Sequence, residues 1–301
     1  MTRYHDQWRD GRLVERGERD CSQRWELIAS ALAGVEPFTL LDVGAYTGYF
    51  TARATETFDC HATAVDNNPG LADLAGPSVD VIGRRLSVDE LWHLPRHDVV
   101  FALSVLHHFA DWQAAFEALR ACRRTLIIET PDPAENWMRH AAARDQLEEL
   151  HDSAAAEGEL LGTTERFARG VAYQRPIYLI AGTVQQHSGE VFAGSGSCSR
   201  NMPRYDEGLG RVLGYEPFPG SLNVRLPAPV DLGPPLIEWV GRKSRDRQLW
   251  RAWIEDLPCH AMIPGARGHG PNTLEMVAPI KLRDRYTLTD GAPIVIDIEH
   301  R

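Results

Sequence analysis

The chain changes rhythm past its middle. Up to about residue 182, continuous apolar runs alternate with segments of helical spacing. The apolar runs are FTLLDVG (38–44), CHATAVD (60–66), DVVFALS (98–104) and RTLIIET (124–130), with a weaker one, VDVIGRRL, at 79–86. Between them, GYFTARATETF (48–58) and DWQAAFEALRAC (111–122) are compatible with helices. Strands that are apolar at nearly every position need cover on both faces. The pattern therefore predicts an α/β domain, a Rossmann-like and mostly parallel sheet with helices on both sides. Residues 135–160, rich in Ala, Glu, Leu and Arg, are predicted as a further helix, and RFARGVAYQRPIYLIAG (166–182) as two closing strands around a turn.

From residue 183 the texture is different. Short strand-like stretches broken by Gly and Pro predict a small β-barrel. The division expected is thus 1–182 and 183–301. One helix is predicted in the second part, at MPRYDEGLGRVLG (202–214), stopping at Gly214. The segment PFPGSLNVRLP (217–227) alternates: Leu222, Val224 and Leu226 share one face of a strand, Asn223 and Arg225 the other. Ser221 falls on the polar side. A hydroxyl, an amide and a guanidinium in one row suit a metal, a phosphate or plain solvent.

Composition narrows the classes. A net charge of -10 argues against a broad electrostatic grip on nucleic acid and favours small-molecule substrates. The five cysteines are scattered and contain no C-x-x-C pair, so neither a zinc site nor a disulfide framework is expected. The polar N-terminus has no apolar signal region, and no run approaches membrane-spanning length. A cytoplasmic setting without membrane contact is the expectation; no oligomeric state is implied.

LLDVGAYTGYF puts an acidic residue near the end of a strand, then a glycine-bearing turn, then a helix. Gly44 and Gly48 leave room for a ligand beside the backbone. The next strand ends in AVDNN, with Asp66 positioned to reach a ribose and Asn67 beside it. Tyr46 occupies the middle glycine position of a dinucleotide loop, which disfavours NAD. In order and spacing these motifs resemble the class I S-adenosylmethionine-dependent methyltransferases. The resemblance implies that the loop around Gly44, Tyr46 and Gly48 contacts the methionine part of S-adenosyl-L-methionine and that Asp66 binds its ribose. Asp42 either caps the turn or supports the cofactor indirectly. DVVFALSVLHHFADW looks like the family's fourth strand and the loop after it. There His107 and His108 either accept a proton from the methyl acceptor or simply pack, and Glu129 is open in the same way.

YEPFPGSLNVRL resembles the archaeal CTP-dependent riboflavin kinases, small cradle-loop barrels with a Pro/Gly turn followed by Thr-Leu-Asn-Val. This implies that Ser221 and Asn223 hold a Mg2+ ion bridging the phosphates of CTP. TLEMVAPIKLRDRYTLTDGAPIVIDI (273–298) is similar to the family's closing segment. Glu275 stands at its acidic position, as acceptor-activating base or as a structural ion pair, and Lys281 and Arg283 stand at its basic ones. HAMIPGARGHG (260–270) resembles the segment carrying a histidine, here His269. FAGSGSCSRNM supplies a nucleotide loop through Gly194, Gly196 and Ser197, with Cys198 where the family has a third glycine. The expectation is a bifunctional enzyme that methylates a small molecule and phosphorylates a hydroxyl, riboflavin-like or other. The alternative is a methyltransferase whose barrel only binds a cytidine nucleotide or a nucleotide-linked substrate.

Overall fold

The computed structural model describes residues 5–135, 144–168, 170–194, 196, 206–239, 247–263 and 270–300. The chain divides into two compact units, one of residues 1–92 with 97–182, the other of 93–96 with 183–301.

The first unit opens with a hairpin of β1 (Gln7–Arg9) and β2 (Arg12–Glu15), followed by α1 (Ser22–Leu32). Its sheet is formed by β3 (Phe38–Val43), β4 (Cys60–Val65), β5 (Val79–Ile82), β6 (Val99–Leu103), β7 (Thr125–Glu129), β8 (Gly158–Ala168) and β9 (Val171–Ala181). The spatial order is β5-β4-β3-β6-β7-β9-β8; the first five run parallel, and β9 is antiparallel to both neighbours. Every residue of β6 and β7 is buried, as two covered faces require. On one face, Leu40, Phe101, Ile127 and Ile177 pack with Trp25, Ile28 and Leu32 of α1 and with Tyr49, Phe50 and Ala54 of α2 (Tyr49–Thr57). A short α3 (Val88–Trp92) precedes β6, and α4 (Trp112–Arg120) packs on β6 and β7. Asp111 caps α4, its carboxylate accepting from the Ala114 amide at 2.9 Å.

The mostly parallel sheet between helices is as expected, but some boundaries differ. The helix expected over 135–160 is described as α5 (Arg144–Glu157), and the first closing strand starts at Gly158 rather than near 166. Gly158 explains the change: a Cβ there would stand 2.9 Å from both the Ala154 carbonyl oxygen and Ile180 Cγ1. Only glycine fits where the helix turns straight into the ladder. The weak strand at 79–86 keeps only its first half, Val79–Ile82.

The second unit is a closed antiparallel barrel. Its strands are β10 (Val184–Phe192), β11 (Leu222–Arg225), β12 (Ile237–Trp239), β13 (Arg247–Ile254), β14 (Leu257–Met262), β15 (Thr273–Val277) and β16 (Pro293–Glu299). They follow the order β12-β13-β14-β15-β11-β10-β16, and β13 pairs again with β16 to close six of them into a ring. Leu222, Val224 and Leu226 point into a core with Val191, Trp250, Met276, Ile296 and Ile298. The alternation in LNVR is therefore real strand alternation. The helix expected over 202–214 is described as α6 (Asp206–Leu213), and Gly214 follows it. A one-turn α7 (Leu282–Arg285) precedes β16.

Candidate functional sites

In the first unit, strand order reverses between β3 and β6, and crevices at such switch points accept ligands. A cavity of about 690 Å³ lies there, lined by Gly44 after β3, Asp66 and Asn67 after β4, Arg84 to Leu86 after β5, and Val105 with His107 to Ala110 after β6. Its size is that of a small-molecule site. Gly44 has φ +79°, and a Cβ on it would stand 2.6 Å from Val105 Cγ2. The loop then passes through Tyr46 at φ +56°, a left-handed conformation that costs a non-glycine residue about 1–2 kcal/mol.

Asp66 offsets that strain. Its Oδ2 accepts from the Tyr46 amide at 2.9 Å and its Oδ1 from the Asn68 amide at 2.8 Å. One carboxylate thus ties the turn after β3 to the turn after β4. Each oxygen keeps a lone pair for a ligand hydroxyl. Asp42 is buried, accepts from Thr51 Oγ1 at 2.6 Å, and is pushed up to about 7 by burial. It braces α2 from below and does not line the cavity. Gly48 begins α2, where a Cβ would meet Leu74 Cδ2 at 2.3 Å.

His107 and His108 both line the cavity, their ring centroids 4.0 Å apart. His108 is exposed, whereas His107 is partly buried and its Nδ1 has no hydrogen-bond partner. Burial, then the neighbouring His108, hold His107 well below the ordinary histidine range, so the ring is neutral at pH 7.

The sequence reading missed what stands behind this wall. Glu129, at the end of β7, is buried and accepts from Arg19 at 2.9 and 2.7 Å, from Arg24 at 3.3 Å, from Thr164 at 3.2 Å and from Ser104. Burial alone would raise its carboxyl, but the guanidiniums of Arg19 and Arg24 hold it well below the usual carboxylate range. Ser104 in turn accepts from Arg175 at 2.9 Å, and Arg175 grips buried Glu135 through two nitrogens at 2.5 Å. Arg19 and Arg24 stand in polar sequence that reads as a solvated face, which is why no signal marked them.

In the barrel, β11 places Asn223 opposite Phe192 of β10 and opposite Glu275 of β15. Directly opposed residues share a face, so the Asn223 amide and the Glu275 carboxylate stand side by side away from the core. Gly194 lies against them: a Cβ on it would fall 2.2 Å from Asn223 Nδ2. The fold thus brings Gly194, Asn223 and Glu275 together, a set of hard oxygen donors beside an open glycine backbone. Ser221, partly buried, immediately precedes β11, and Gly196 is exposed. Ser197, Cys198 and His269 lie outside the described residues.

The basic candidates have other partners. Arg283 donates to the Phe192 carbonyl at 2.9 Å and to Asp290 at 2.7 Å, tying the end of β10 to the Asp-Gly turn. Lys281 pairs with Asp284 at 2.9 Å on the surface, and the Arg225 guanidinium lies 4.8 Å from the centre of the Phe192 ring. Behind the strand, Tyr215 donates its hydroxyl proton to the Val277 carbonyl at 2.8 Å, so the 3.0 Å contact with His260 needs a proton on His260 Nδ1. Among the described residues no group of three His, Cys, Asp or Glu side chains gathers as metal ligands, and no helix is long and apolar enough to cross a membrane.

Comparison with known proteins divides the chain along similar lines. Residues 14–159 match a family model described as a methyltransferase domain. Residues 191–298 match the CTP-dependent riboflavin kinase family model, described as a domain of unknown function, DUF120. Among curated relatives, a riboflavin kinase of Methanospirillum hungatei is 32% identical over 136 residues, which are 42% of this chain and 59% of the relative. A riboflavin kinase of Pyrococcus abyssi is 28% identical over 193 residues, 60% of this chain and 88% of the relative. Among solved structures, the 1,6-didemethyltoxoflavin-N1-methyltransferase of Burkholderia thailandensis, with S-adenosylhomocysteine bound, has a TM-score of 0.38 at 21% identity and covers 52% of this chain and 76% of its own.

Proposed function

We propose that this chain is a bifunctional transferase, joining a methyltransferase domain to a domain of the CTP-dependent riboflavin kinase type, as the two family matches support. The first unit binds S-adenosyl-L-methionine and methylates a small molecule; the second uses CTP and Mg2+ to phosphorylate a small-molecule hydroxyl, riboflavin-like in chemistry. The observation that carries the first half is the cavity at the strand-order reversal, with Asp66 fixed by two backbone amides on its wall.

The residues present suit the cofactor. Gly44 leaves the backbone bare where the methionine part would lie, and the free lone pairs of Asp66 accept the ribose hydroxyls. S-adenosyl-L-methionine supplies a methyl group on a sulfonium, already activated for attack, so the protein's task is orientation. His107, neutral at pH 7 and on the cavity wall, accepts the proton of an attacking hydroxyl or amine. In the barrel, Ser221 and Asn223 would hold Mg2+ together with the nucleotide phosphates, an ion that takes few protein ligands when phosphate oxygens complete its shell. Glu275, beside Asn223, would take the proton of the accepting hydroxyl.

A second reading, a barrel that binds a cytidine nucleotide without turnover, is favoured by one observation. Arg283 and Lys281, the basic residues nearest the family pattern, are engaged with Asp290 and Asp284. Calorimetry of the whole chain with S-adenosylhomocysteine, and separately with CTP and Mg2+, tests binding at both sites. A phosphorylation assay with riboflavin and CTP then separates the readings. Asn223→Ala is expected to abolish turnover; unchanged turnover would remove its metal role, and tight CTP binding without product would establish the second reading.

A further inference from the structure

Residues 5–21 form a closed loop. His5 bridges to Arg19, and the Asp6 carboxylate accepts from the Gly17 amide at 2.8 Å and the Cys21 amide at 3.0 Å. Gly17 sits so tightly on His5 that a Cβ would be 2.3 Å from its carbonyl carbon. This loop packs on the turn that follows β3. The His5 ring packs edge-on against Tyr46, centroids 5.3 Å apart, and against Phe50 at 6.1 Å.

The same loop is held from the inside by Arg19 and its neighbour Arg24, both bonded to Glu129. Glu129 also accepts a hydrogen bond from the hydroxyl of Ser104, the residue after β6, which has φ +59°. Val105, next in the chain, lines the cavity, and His107 follows two residues later. One buried carboxylate thus holds the loop that packs on Tyr46 and the turn that leads into the cavity wall, segments 85 residues apart in sequence, taking Arg19 and Ser104 as their anchors (104 − 19).

We infer that Glu129 is a positioning residue that couples the N-terminal loop 5–21 to the His107 turn, so that cofactor binding and closure of the loop rise and fall together. The coupling follows from the chemistry of the hub. Its two buried guanidiniums and the hydroxyls of Thr164 and of partly buried Ser104 all donate to the same two oxygens, so loss of one arm changes the charge and the bond geometry felt by the others. By linkage, a ligand that orders the His107 turn stabilises the packed loop by the same factor by which the packed loop favours the ligand.

The cofactor arm of this inference rests on the methyltransferase reading; the loop-to-turn arm does not. Hydrogen exchange of the whole chain is measured alongside titration with S-adenosylhomocysteine, for wild type, Arg19→Met, Ser104→Ala and Glu129→Gln. Arg19→Met is expected to speed amide exchange in 5–21 and also in 104–108, and to weaken S-adenosylhomocysteine about tenfold, within the usual span of coupling between sites. Ser104→Ala should loosen 5–21 in return, and ligand should slow exchange there in wild type. Phe38→Leu, a core change at the start of β3 and so at the opposite end of that strand from the Gly44 turn, is expected to lower Tm with the affinity unchanged, which separates coupling from general destabilisation. Should Glu129→Gln fail to fold, the two single-arm variants still decide. Faster exchange confined to 5–21 in Arg19→Met, with 104–108 and affinity as in wild type, overturns the inference. If wild type binds no S-adenosylhomocysteine, the methyltransferase reading falls, and the exchange data alone rule on the coupling.

Discussion

The two candidate sites are built from different material. In the first unit the decisive atoms belong to the backbone: the bare Cα of Gly44, the left-handed Tyr46, and two amides that fix Asp66 before any ligand arrives. In the barrel they belong to side chains on adjacent strands, Asn223 and Glu275, aimed outward because their neighbours Leu222, Val224, Leu274 and Met276 fill the core. The first kind of site responds to whatever adds volume or changes a dihedral. The second responds to side-chain chemistry and tolerates backbone neighbours, except where one lies directly against it.

The sharpest way to break that contrast is a branched side chain in the backbone-built site. Gly44→Val puts a β-branched residue at φ +79° and drives its Cβ toward Val105, 2.6 Å away. Strain and lost space together should cost about 3 kcal/mol of ligand affinity, roughly 100-fold, read as the Kd for S-adenosylhomocysteine. Retained affinity would mean that the ligand does not approach this turn.

A smaller effect tests the barrel where backbone lies against its site, at Gly194. In Gly194→Ala the new methyl would collide with Asn223 Nδ2 at 2.2 Å. The amide is the end of a side chain and can swing aside, so the fold survives and Asn223 is mispositioned. The expected loss in Mg2+-CTP affinity is about tenfold, close to that of Asn223→Ala, and the double variant should lose little more than either single one. Additive losses would show that the glycine acts on the nucleotide independently of Asn223.

The same contrast explains what could be read without coordinates. Asp66 was legible because an acid that ends a continuous apolar run is conspicuous, and the Asn223 face was legible because a strand repeats every two residues. The Glu129 hub was not. Its partner Arg19 is 110 residues away, in a polar stretch whose apolar periodicity is too weak to announce a buried turn. Arg175 lies on β9 between polar and proline neighbours, yet it is buried. Buried ion pairs satisfy each other across space and leave no local pattern. Likewise Arg283, at a basic position of the family motif, is turned to a backbone carbonyl and an aspartate that only the folded β10 end and turn bring near.

The smallest effect concerns how the barrel holds its site strand in place from behind. His260 is buried against Tyr215, and burial, helped by Arg251, lowers it to about 3. The folded state therefore keeps the ring neutral, while the unfolded chain takes up a proton below about pH 6.5. Protons then favour the unfolded state, so this group's contribution is complete above pH 6.5 and is progressively lost as pH falls. Between pH 7 and 6 the loss is about 0.7 kcal/mol for one such histidine. His187 and His300 are also held low by burial and add to the slope with the same sign. The difference between wild type and His260→Gln isolates the share of His260: unfolding free energies should converge by about that amount on acidification from pH 7 to 6. Parallel pH curves for the two proteins would mean that the ring is solvated, and that Tyr215 alone holds the carbonyl of Val277.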